Sequence, residues 1–82
     1  MNPGDLVMVE SAAGYCPSFQ YANYAFIRHV SLPHGTHCIF LGKDASVAFI
    51  RQQPMVKVLV GEDQLSVDER FLQVVHDASP VV

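Results

Sequence analysis

Apolar and polar positions alternate most clearly over residues 55–75, MVKVLVGEDQLSVDERFLQVV. Val56, Val58 and Val60 share one face of an extended strand, and Lys57 and Leu59 take the other, because successive strand side chains point to opposite faces. β-Branched residues at period two suit a pleated, half-buried surface. Gly61-Glu62-Asp63 is a three-residue turn signal, and the chain then returns with Leu65 and Val67 on one face. Ser66-Val67-Asp68-Glu69 has the spacing of a capping box, and Asp68 is itself an N-cap candidate. Four residues, 69–72, precede a resumed strand pattern at Gln73-Val74-Val75. That leaves room for one helical or 3₁₀ turn and for no longer helix. The segment therefore predicts strand, turn, strand, tight turn, short strand.

Upstream, Asn2-Pro3-Gly4 signals a turn, and DLVMVE at 5–10 reads as a strand that residues 11–14 break. THCIFL at 36–41 predicts a strand closed by Gly42-Lys43-Asp44. ASVAFIR at 45–51 predicts the next strand, turned by Gln52-Gln53-Pro54. The stretch YCPSFQYANYAFIRHV at 15–30 is less regular. Pro17 argues against a central strand at its start, and its latter half fits a strand or a helical turn. We read it as a long loop, followed by a turn at SLPHG, 31–35. No segment holds a 3.6-residue period over three turns. Five or six short strands separated by turn signals predict an all-β domain, a barrel or a sandwich, over residues 1–76, with a tail at 77–82.

Composition adds one pressure to this picture. The chain has 82 residues, half of them apolar and 16% charged. A domain of this size has a small core, so the apolar surplus predicts burial against another chain. Net charge is -3, and the five basic residues (Arg28, Lys43, Arg51, Lys57, Arg70) are scattered. Phosphate neutralisation supplies most nucleic-acid affinity and calls for a basic stripe, so nucleic acid is disfavoured as a partner. No run approaches the ~20 apolar residues of a membrane-spanning helix. The N-terminus shows no apolar stretch after a basic one, so a cytoplasmic protein with reduced Cys16 and Cys38 is expected.

Candidate chemistry is sparse. Cys16, His34, His37 and Cys38, with His29 as a spare, are the residue types of a zinc site, which needs about four tetrahedral donors. There is no Cys-x-x-Cys pair, and adjacent His37 and Cys38 point to opposite faces of a strand, so no metal or other cofactor is expected. Cys38 lies in an apolar strand, where a thiol is inert; Cys16, read as a loop residue, is the better nucleophile candidate. Glu62-Asp63 at a hairpin tip and Asp68-Glu69 at a cap have structural roles. No catalytic residue is assigned.

The succession PGDLVMV, an irregular segment, CIFLGKD, VKVLVGED and VDERFLQVV resembles an SH3-like small barrel. That resemblance implies a first strand, a long loop, three strands in meander, a 3₁₀ turn and a last short strand. It also implies a phage or mobile-element setting, and it carries no activity by itself. Small barrels of this kind also form the plasmid-borne type of dihydrofolate reductase, whose Val-Gln-Ile-Tyr motif is answered here by Val56-Lys57-Val58-Leu59. Glutamine and tyrosine are both missing, and the activity is not carried over. In SH3-like domains, aromatic residues around the long loop often form a groove for proline-rich peptides. The chain has no Trp and lacks the acidic-loop pattern that accompanies such a groove. Tyr15, Phe19, Tyr21, Tyr24 and Phe26 either cap the open end of the barrel as core or form a partner surface; they are the candidate partner residues, because tyrosine and phenylalanine bring large contact area at little entropic cost. The reading is an interaction or assembly module that self-associates as a dimer or higher oligomer. The alternatives are a nucleic-acid-binding barrel and an enzyme whose site is shared between subunits.

Overall fold

A computed structural model describes residues 1–23 and 25–75. It contains seven strands, one short helix and one 3₁₀ turn. They are β1 (Leu6–Val9), β2 (Tyr15–Ala22), β3 (Ala25–Pro33), β4 (His37–Lys43), α1 (Ala45–Arg51), β5 (Met55–Val60), β6 (Asp63–Asp68), the 3₁₀ turn Glu69–Phe71 and β7 (Leu72–Val74). All the strand pairs are antiparallel, in one sheet of order β3-β2-β6-β5-β4-β1-β7. The expected tail at 77–82 lies outside the described residues.

The sheet is rolled but is not a closed barrel. Strands β3 and β4 stand four steps apart in the sheet, yet only residues 34–36 link them. A flat sheet would separate them by roughly 19 Å at ~4.8 Å per strand. The link from Pro33 to His37 spans at most about 14 Å. The sheet must therefore curl, and β3 and β7 remain its two edges. The all-β class and the 3₁₀ turn before the last strand are as expected, while the expected barrel of five or six strands is an open, rolled sheet of seven.

Residues 55–75 fold as the alternation predicts. Val56 and Val58 are buried, Lys57 is half-buried, and Leu65 and Val67 face them from β6 across the pairs Val58↔Leu65 and Val56↔Val67. Asp68 caps the 3₁₀ turn by accepting the Arg70 N–H at 2.9 Å. Ser66 does not complete the capping box; its hydroxyl donates to Asp44 Oδ2 at 2.8 Å. Val7 and Val9 of β1, Cys16 of β2, Leu32 of β3, and Cys38 and Phe40 of β4 join these side chains in one core.

Two segments differ from expectation. Residues 15–30 are not a loop: β2 and the first part of β3 form a hairpin in which Cys16 and Ser18 face the core. Pro17 is tolerated because the β2–β6 ladder pairs only Ser18 and Phe19 and ends before Pro17. Residues 45–51 are a helix, not a strand. Strand β4 pairs directly with β5, down to Lys43↔Val56, which leaves no slot between them in the sheet. The intervening residues take helical form because Asp44 accepts the Val47 N–H at 3.3 Å. At the other end, Gln52 turns left-handed at φ 54° and donates its N–H to the Ala48 carbonyl. Among the described residues, no helix is long and apolar enough to cross a membrane.

Candidate interaction surface

Strand β2 carries its aromatics on the side opposite the core, toward α1. Phe19 meets the His29 ring at 5.4 Å between centroids, and the Arg51 guanidinium of α1 lies 3.5 Å over the Phe19 ring. That cation sits where the ring's quadrupole attracts it. Arg51 Nη1 also donates to the Tyr21 hydroxyl at 3.4 Å, while its buried Nε has no acceptor among the described residues. Tyr21 stands edge-on to Phe26, centroids 5.7 Å apart. The fold thus brings Phe19, Tyr21 and Phe26 into one strip with His29 and Arg51. Tyr15 lies apart, paired with Pro33 at the far end of the hairpin. Tyr24 falls outside the described residues.

The strip ends in an exposed apolar corner. Phe26 and Ile27 are each 54% exposed on β3, the longer edge strand. Register passes from Gln20↔Arg28 to Tyr21↔Phe26, so Ile27 is the extra residue of a β-bulge. The sequence reading missed Ile27. Its aliphatic side chain among aromatics gave no signal, and the bulge that turns it outward depends on pairing with β2. Phe49 and Ile50, also exposed, were missed because their segment was read as a strand.

A concavity of about 300 Å³ lies where β2, the end of α1 and the 3₁₀ turn converge; Phe19, Arg51, Asp68, Arg70 and Phe71 are among its lining. Asp68 receives both Nε and Nη2 of Arg70, the latter at 2.6 Å. That hydrogen-bonded guanidinium holds the Asp68 carboxyl below its ordinary range, against the opposing effect of burial. The pair makes this opening a neutralised wall with a single further cation, Arg51.

The other candidates fall apart in space. Cys16 is not a loop residue: it is fully buried in β2, and burial, with smaller contributions from Asp68 and Cys38, pushes its thiol up to about 11. Burial raises the Cys38 thiol as well. Neither thiol is poised as a nucleophile, since the reactive form is the thiolate. His34 Nδ1 accepts the Ser11 N–H at 3.0 Å, and His37 is exposed while Cys38 is buried. Among the described residues, no three His, Cys, Asp or Glu side chains are grouped to hold a metal ion. Asp63 at the β5–β6 turn pairs with Arg28 of β3 at 3.0 Å. Comparison with protein-family models, curated proteins and solved structures returned no match.

Proposed function

We propose that this chain is a small protein-interaction and assembly module that associates with copies of itself through the β2–β3 hairpin. The observation that carries this reading is the corner at Phe26 and Ile27, two adjacent apolar residues more than half exposed on an edge strand, backed by Tyr21. Exposed apolar groups that form a contiguous patch mark interaction sites, whereas scattered ones do not. The edge itself is blunted by the Ile27 bulge, by Arg28 and by Pro33, the devices that discourage indiscriminate strand addition. Side-chain packing between twofold-related patches is the contact that this arrangement favours.

The charge distribution supports a protein partner over a nucleic acid. Arg28 and Arg70 are paired with carboxylates, and Arg51 is stacked on Phe19. An SH3-like descent is part of the proposal. Its support is the strand order β7-β1-β4-β5-β6, with the last strand beside the first and three strands in meander, and the hairpin standing where the long loop is expected. The phage or mobile-element setting rests on that likeness, and a cytoplasmic location on the sequence reading of the cysteines. Replacing Phe26 and Ile27 together by Ser tests the reading. A fall in assembly mass with an unchanged circular dichroism spectrum is expected; an unchanged mass would remove the hairpin from the interface.

A further inference from the structure

Helix α1 presents the most exposed large apolar side chain among the described residues. Phe49 is 84% exposed and its neighbour Ile50 is 48% exposed. The inward side of the helix is fixed by Val47, which is buried, and by Arg51, which is held over Phe19. At about 100° per residue, these two anchors turn Phe49 straight outward. One turn before Phe49 on the same side of the helix is Ala45, which with Ala48, Pro54 and Met55 frames a hollow of about 320 Å³, Lys43 and Glu69 completing its wall.

We propose that Phe49 anchors a second contact between copies of this chain, each ring seated in the other's hollow against Ala45, Ala48 and Met55. The ring and the hollow lie within one turn of the same helix, so a twofold axis across α1 exchanges them in a single isologous contact. An unrelated apolar segment would fill the hollow and leave Phe49 uncovered; a second copy covers both. Alanine at two positions of the contact lets the helices approach closely. The wall carries one cation and one anion, so an identical wall turned through the axis meets it without net repulsion. This contact is separate from the hairpin patch. Two different twofold contacts on one chain build assemblies larger than a dimer.

Sedimentation velocity at micromolar concentration on four chains tests the contact. The unmodified chain is expected beyond dimer. Phe49→Ser alone and the Phe26→Ser, Ile27→Ser pair alone are each expected as dimers, and the combination as monomer. Ala48→Trp fills the hollow without touching Phe49 and is expected to act as Phe49→Ser does. Mixing the Ala48→Trp and Phe49→Ser chains, one supplying the ring and the other the hollow, restores association. Circular dichroism confirms the fold of each chain, and the exposure of Phe49 makes its replacement by Ser safe for the core. If Phe49→Ser leaves the mass unchanged, the inference is overturned, whatever the hairpin variant does. If only the hairpin variant leaves the mass unchanged, the reading above fails and the α1 contact stands.

Discussion

Burial at single positions carries the strongest consequences. Val58 is fully buried between Phe40 of β4 and Leu65 of β6, while Lys57, one residue away, sits on the other face. Val58→Asp places an unpaired charge in the core at a cost of several kcal/mol, against a total stability of about 5–15 kcal/mol for a domain. It is expected to unfold the protein, with Lys57→Ala near silent in urea denaturation. Equal losses would mean that the strand is slipped by one residue, since a slip exchanges the faces. Cys16 gives a pH signature. Its thiol is raised in the fold from 9.0 to about 11 by burial, so above the ordinary thiol range the unfolded chain releases a proton that the folded chain keeps. Stability from this group is intact below about pH 9 and declines between 9 and 11. Urea midpoints of the unmodified chain should fall more steeply across that window than those of Cys16→Ala; parallel slopes would show that the thiol is not buried in solution.

Elements were legible in the sequence to the degree that local residues decide them. Residues 55–75 are fixed locally, by the Val56-Val58-Val60 alternation, the Gly61 turn and the Asp68 cap, and the structure follows them. Residues 45–51 are not. Val47 and Phe49 fit period two as well as Val47 and Arg51 fit a helical turn, and the decision comes from β4 pairing directly with β5. In residues 15–30, Pro17 is a sound warning that fails because the β2–β6 ladder pairs only Ser18 and Phe19 and ends before Pro17. The surface aromatics Phe19, Tyr21 and Phe26 were legible by type, whereas Ile27, Phe49 and Arg51 needed the hairpin bulge and the helix to place them. Asp44 is the residue on which α1 turns. Its carboxylate accepts from the Val47 N–H and from the buried Ser66 hydroxyl. Asp44→Ala removes the cap and leaves Ser66 without its acceptor, so a loss of about 1–2 kcal/mol is expected by chemical denaturation. A loss within ~0.5 kcal/mol, the ordinary surface range, would show that the cap does not hold the helix.

The whole molecule is a rolled sheet whose core is filled by one face, and among the described residues adjacent pairs of exposed large apolar side chains stand at two separate places, Phe26 with Ile27 at the hairpin corner and Phe49 with Ile50 on α1. In the assembly proposed above, a second copy covers these two places on a chain of 82 residues that is half apolar. Assembly through these two patches is the central proposal. Sedimentation velocity of the unmodified chain at micromolar concentration tests it most directly: a species of more than two chains is predicted, and a single species at 9.0 kDa, the mass of one chain, would contradict it.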